Sequence, residues 1–130
     1  MSLPNKGKIL SLDLGTKRTG VALSDPSQRV AFPRDEIEHD SLESLIESLS
    51  VIIESEKVVG ILVGLPLTLS GTESEQTRIA KEYSGKISEH FNLPIDSMDE
   101  RFTTQEALKK MQSKTVDSDV AQILLVHYLC

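Results

Sequence analysis

The sequence predicts one α/β domain over residues 1–130: three strands in a meander, then strands alternating with helices. Three features predict it. Short leucine-rich and β-branched runs stop at glycine or turn residues, as strands do. Longer segments repeat apolar residues every three or four positions, as amphipathic helices do. The two kinds follow one another in the order βββαβαβαα, with no repeat, low-complexity tract or long linker between them.

The first strand is KILSLDLG, residues 8–15, halted by Gly15. GVALSD (20–25) is the second, and the five residues Gly15 to Thr19 predict a tight hairpin that makes the pair antiparallel. RVAF, just before Pro33, reads as a short third strand. In DSLESLIESLSVIIESEK, Leu42, Leu45, Ile46, Leu49, Ile52 and Ile53 recur at helical spacing, with Asp40 or Ser41 as N-cap. VVGILVGLP is apolar throughout and predicts a strand buried on both faces. A second helix is expected over GTESEQTRIAKEYSGKISEHF, where Thr72 and Glu75 offer a capping box and Ile79, Tyr83, Ile87 and Phe91 form one stripe. LPIDSMDE is a fifth strand, and TTQEALKKM and DSDVAQILLVHYL are helices.

Composition narrows the function. No apolar run approaches the roughly 20 residues of a membrane span, and MSLPNKGK lacks the apolar core and small-residue cleavage site of a secretory signal. The single cysteine, Cys130, excludes an intrachain disulfide and a cysteine-based zinc site, so a reducing cytoplasm is the expected location. A net charge of −6 argues against nucleic acid as partner, because phosphate is held largely by Lys and Arg. The distribution reverses that inference. Lys6, Lys8, Lys17, Arg18, Arg29 and Arg34 outnumber Asp13 and Asp25 in the first 34 residues. The acids from Asp35 to Glu56 read as a solvated helix face.

One aspartate, Asp13, stands among Leu12, Leu14, Val21, Ala22 and Leu23, where an ionisable group is costly. Asp13 ends the first strand, Asp99 and Glu100 end the fifth, and Asp117 starts the last helix. In an open α/β sheet the carboxyl ends of strands converge on the ligand crevice. Carboxylates gathered there repel one another unless a divalent cation neutralises them, and oxygen donors suit Mg²⁺ or Mn²⁺. Such ions activate water and stabilise the leaving oxygen in phosphodiester hydrolysis. Each acid also has a structural reading: a turn cap for Asp13, a loop ion pair for Asp99 with Arg101, an N-cap for Asp117.

Together, DLGTKRTGVALSD, VGLPLTLSGTESEQT, DERFTTQEA and KTVDSDVAQILLVHYL resemble the four motif blocks of the YqgF/RuvX family, in that order and across essentially the whole chain. The resemblance implies an RNase H-like fold: a five-stranded mixed sheet, three antiparallel strands then two parallel, flanked by helices. It implies a metal-dependent nuclease, maturing the 5′ end of pre-16S rRNA in the immature small ribosomal subunit or resolving branched DNA as a Holliday junction resolvase. Matched residue by residue, it makes Asp13, Asp99, Glu100 and Asp117 the catalytic carboxylates, with Asp13, Glu100 and Asp117 on Mg²⁺ or Mn²⁺. Strand alternation allows only one of Asp99 and Glu100 to reach the metal. One departure stands out: many RNase H-like nucleases carry an acid where this chain has Gly64.

Around these acids, Thr16, Lys17, Arg18 and Thr19 in the first hairpin offer backbone N–H groups and cations to a phosphate; their structural alternative is a solvated turn. Gly64 to Pro66 allows close backbone approach, Arg101 is expected to face developing charge or to pair with Asp99, and Lys114 is a candidate phosphate contact. His39, His90 and His127 have no ligand spacing and are expected to be non-catalytic. The hairpin also resembles the first phosphate loop of actin- and Hsp70-like ATPases, which need a second domain that 130 residues cannot supply. A non-catalytic ribosome or nucleic-acid binding module is the rival of another class. No membrane partner is expected, and the chain is expected to act as a monomer or, as a resolvase must, a homodimer.

Overall fold

The computed structural model describes residues 3–65, 74–99 and 116–129. Strands β1 (Lys8–Asp13), β2 (Arg18–Ser24), β3 (Ala31–Glu38), β4 (Val58–Leu65) and β5 (Ile95–Asp99) form one sheet in the order β3-β2-β1-β4-β5. The β1–β2 and β2–β3 pairs are antiparallel; β1–β4 and β4–β5 are parallel. Helices α1 (Leu42–Glu56) and α2 (Glu75–Phe91) cross between the parallel strands, and α3 (Val116–Leu129) follows β5. This is the mixed, helix-flanked sheet expected from the sequence. The helix expected over TTQEALKKM lies outside the described residues. Among the described residues no helix is long and apolar enough to cross a membrane.

Alternation along the strands makes two cores. Leu10, Leu12, Val21, Leu23, Ile61 and Val63 pack on Leu45 and Leu49 of α1 and Ala80 and Ile87 of α2. On the opposite face Ile9, Ala22, Ala31 and Leu62 pack on Val120, Ala121, Ile123, Leu124 and Leu125 of α3. Strand β4, between β1 and β5, is covered on both sides, as its unbroken apolar run requires.

Three boundaries differ from expectation. The third strand is not RVAF but an eight-residue strand running through Pro33 to Glu38. As a sheet edge, β3 tolerates proline where a central strand would lose a ladder hydrogen bond. Asp35, Glu36 and Glu38 therefore lie on an edge strand rather than a helix face, and charge there opposes edge-to-edge association. The first hairpin loop is shorter than Gly15 to Thr19, because Arg18 and Thr19 already belong to β2. The α2 capping box is formed by Ser74 and Thr77, not Thr72 and Glu75; the Ser74 side chain accepts from the Thr77 N–H and the Thr77 side chain accepts from the Ser74 N–H. Ser41, not Asp40, is the N-cap of α1.

The basic N-terminal third is also less available than its composition suggests. Lys8 Nζ and Arg34 Nη1 both donate to the Glu56 carboxylate, at 2.5 and 3.0 Å. The Lys8 hydrogen bond, then that of Arg34, holds Glu56 below the ordinary carboxylate range. This clamp ties the end of α1 to β1 and β3 and engages two cations, leaving Lys17 and Arg18 as the exposed pair beside the candidate site.

Candidate active site

The carboxyl ends of β1, β4 and β5 reach the same edge of the sheet because the three strands are parallel. Leu12 is level with Val63, Gly64 with Met98, and Leu65 with Asp99. Asp13 and Asp99 therefore end strands that lie two strand spacings apart, roughly 10 Å. Asp13 is half-buried, with Leu12 and Leu14 buried on either side.

Alternation assigns Asp13 to the α3 face. Ser11, two residues earlier, donates its Oγ hydrogen to Ala121 O of α3 at 2.8 Å, while the Leu3 N–H, ahead of β1, donates to Tyr128 Oη at the far end of that helix. Helix α3 therefore runs against β1, and its N-terminus lies at the end of the strand that carries Asp13. From the Ser11–Ala121 contact, two strand residues lead to Asp13, about 6.6 Å on. One helical turn leads back to the backbone of Asp117, about 6 Å in the same direction. Two aspartates separated by more than 100 residues of chain thus come to the same end of one face. Glu100, Arg101 and Lys114 lie outside the described residues.

Oxygen donors on a half-buried strand end are chemically suited to a hard divalent cation, and Asp13 meets that description. Among the described residues no group of three metal-ligating side chains is assembled.

The β1–β2 loop separates Asp13 from a cleft of about 800 Å³ on the α1 side, lined by Thr16, Lys17, Arg18, Glu38, His39, Asp40 and Ser44. Lys17 and Arg18 are exposed, and Arg18 Nη1 approaches Glu36 Oε1 only to 3.7 Å. Gly15 shapes this loop: a Cβ there would sit 2.4 Å from Arg18 O. Gly15→Ala must push the backbone of residues 15–18 apart, and it is expected to weaken RNA binding while far-UV circular dichroism stays unchanged.

His39 is the residue that composition and spacing passed over. It is 7% exposed. Its Nε2 is hydrogen-bonded to Thr19 Oγ1 at 2.9 Å, its backbone N–H donates to Lys17 O at 2.9 Å, and its buried Nδ1 has no hydrogen-bond partner among the described residues. Burial pushes the imidazole below its usual 6.5, against the smaller upward pull of Asp40. The unfolded chain then binds the proton more readily than the folded one. Stability is full above about 6.5 and declines as pH falls through and below that value. Urea midpoints at pH 7.5 and 5.5 should show the loss, and His39→Gln should flatten it. At lower pH a carboxylate responds: hydrogen bonds led by that from Ser27 pull Asp25 down to about 2, so its contribution is lost between about pH 4 and 2.

The sequence profile of the family described as "RuvX: Holliday junction resolvase" matches residues 7–130. The chain belongs to the RuvX family. A RuvX relative from Maridesulfovibrio salexigens, named "Putative pre-16S rRNA nuclease", is 37% identical over 131 aligned positions, covering 94% of this chain and 97% of the relative. A relative of the same name from a Sulfurihydrogenibium species is 38% identical over 94% of this chain and 89% of its own length. Among solved structures, Thermus thermophilus RuvC in complex with a Holliday junction superposes on this RuvX chain with a TM-score of 0.66 at 9% identity, covering 94% and 93% of the two chains. The fowlpox virus resolvase, also bound to junction DNA, gives 0.60 at 12% identity over 94% and 96%. At such identities the likeness shows the fold alone. It agrees with the RNase H-like sheet expected from the sequence.

Proposed function

We propose that this RuvX chain is a metal-dependent nuclease that hydrolyses phosphodiester bonds in maturing the 5′ end of pre-16S rRNA. The observation that supports the proposal is the antiparallel seating of α3 on β1, with the start of the helix toward the strand end that carries the half-buried Asp13. The names of the relatives, covering 94% of this chain, supply the substrate class.

In this reading Asp13, Glu100 and Asp117 hold Mg²⁺ or Mn²⁺, which when bound supplies an activated water and a counter-charge for the leaving oxygen. Met98 packs on the α3 face, and period-two alternation from Met98 favours Glu100 over Asp99 as the third ligand. Lys17 and Arg18, with the loop backbone near Thr16, hold phosphate of the substrate strand. Arg101 and Lys114 are proposed to add positive charge where the phosphate gathers negative charge in the transition state.

The family description and the junction-bound neighbours favour a second reading, resolution of branched DNA. That reaction cuts two strands symmetrically and requires a homodimer. Incubation with immature small ribosomal subunits and with four-way DNA junctions separates the readings. The expected result is RNA cleavage with Mg²⁺ or Mn²⁺, none in excess EDTA, and no paired nicking of the junction. Paired junction nicking by a dimer would replace the RNA reading with the DNA one. Binding of RNA without cleavage under any divalent ion would leave only a binding module.

A further inference from the structure

His39 makes contacts that neither its distance from Asp13 in the chain nor the proposed chemistry explains. It sits where β3 turns into α1, yet both of its described hydrogen bonds go to the β1–β2 hairpin: main chain to Lys17 O, ring to Thr19 Oγ1. Thr19 is fully buried, and its neighbour Gly20 is paired with Asp13 across the β1–β2 ladder. The same loop therefore has Asp13 on its α3 side and the cleft with Lys17 and Arg18 on its α1 side.

Resting on the nuclease reading above, we propose that His39 is a positioning residue, fastening the β1–β2 loop so that Lys17 and Arg18 hold a backbone phosphate of the substrate strand in the α1-side cleft, flanking the phosphate at Asp13.

The chemistry of the cleft fits a phosphodiester strand. Arg18 is loosely paired, at 3.7 Å, with a carboxylate that a phosphate can displace. Glu38 and Asp40 also line the cleft, so an anion is accepted only where the cations are held forward of these acids. A loop free to sample other conformations would let Lys17 and Arg18 settle on the acids instead. The ring is suited to a fixed role, because it is kept neutral by burial and has a single described polar partner, Thr19. In a protonated ring both nitrogens carry a hydrogen, and that on Nδ1 has no acceptor among the described residues.

The test compares His39→Leu, His39→Gln and Thr19→Val in the full chain, with three readouts: amide hydrogen exchange of residues 15–18, Kd for a short single-stranded RNA in EDTA, and kcat at saturating substrate. A glutamine amide nitrogen reaches the place of Nε2; leucine offers no donor. His39→Leu and Thr19→Val are each expected to speed exchange in the loop and raise Kd about tenfold, the equivalent of 1.4 kcal/mol, with kcat within about twofold. His39→Gln is expected to restore both exchange and Kd. The double variant should be no worse than either single one, because both remove the same bond. Faster loop exchange with unchanged Kd would overturn the proposal, and so would a His39→Gln variant as weak as His39→Leu. If His39→Leu does not fold, Thr19→Val and His39→Gln carry the comparison. A wild type that binds RNA but does not cut it defeats the nuclease reading alone, and Kd still decides the role of His39.

Discussion

Asp13→Asn is expected to leave the protein folded and able to bind RNA, and to lower phosphodiester hydrolysis roughly a thousandfold, the scale on which a preorganised electrostatic partner of the transition state acts. The substitution keeps the size and a hydrogen-bonding oxygen but removes the negative charge from the end of β1. Leu12 and Leu14 are buried on either side, the start of α3 lies one turn beyond Ala121, and in the proposed mechanism that charge faces the cation. Losing it also relieves repulsion against an incoming phosphate, so the Kd for RNA is expected to stay level or fall. Asp35→Asn, exposed on the edge strand β3, is the matched control and should retain full activity. Hydrolysis by Asp13→Asn at the wild-type rate would remove Asp13 from the chemistry, and the carboxylate reading with it.

Leu124→Ala is expected to give the largest loss of stability, about 2–5 kcal/mol, through lost burial and the cavity left behind. Leu124 is fully buried between α3 and the sheet, among Ile9, Ala22 and Leu62. Against the roughly 5–15 kcal/mol that holds an ordinary domain together, that is a large fraction. The urea midpoint should fall with an unchanged m-value, while Val126→Ala, on the exposed side of the same helix, should stay within about 0.5 kcal/mol of wild type. Activity should fall further than the unfolded fraction explains, because α3 carries Asp117 and its seating on β1 sets where that residue stands.

The strands and helices were legible because hydrophobic period is a local property. The alternation that buries Leu10 and Leu12 on one face and Ile9 and Ser11 on the other can be read from a handful of residues. The acids at the ends of β1 and β5 and at the start of α3 were legible for the same reason. Boundaries were less so. Pro33 reads as the end of a strand until β3 is known to be a sheet edge, and Ser74 outcompetes Thr72 as a cap only once the first turn of α2 is in place.

By itself, the amino-acid order determined the type and succession of the described elements, the α/β class, and which carboxylates stand at the ends of β1 and β5 and at the start of α3. Only the tertiary structure decided which groups meet: Glu56 with Lys8 and Arg34, His39 with Thr19, and Ser11 with Ala121, so that α3 runs against β1 with its first turn at the Asp13 end of the strand. Periodicity is set between neighbours a few residues apart. Partnership depends on how whole faces pack, and a contact across 110 residues, as between Ser11 and Ala121, leaves no mark on either local pattern.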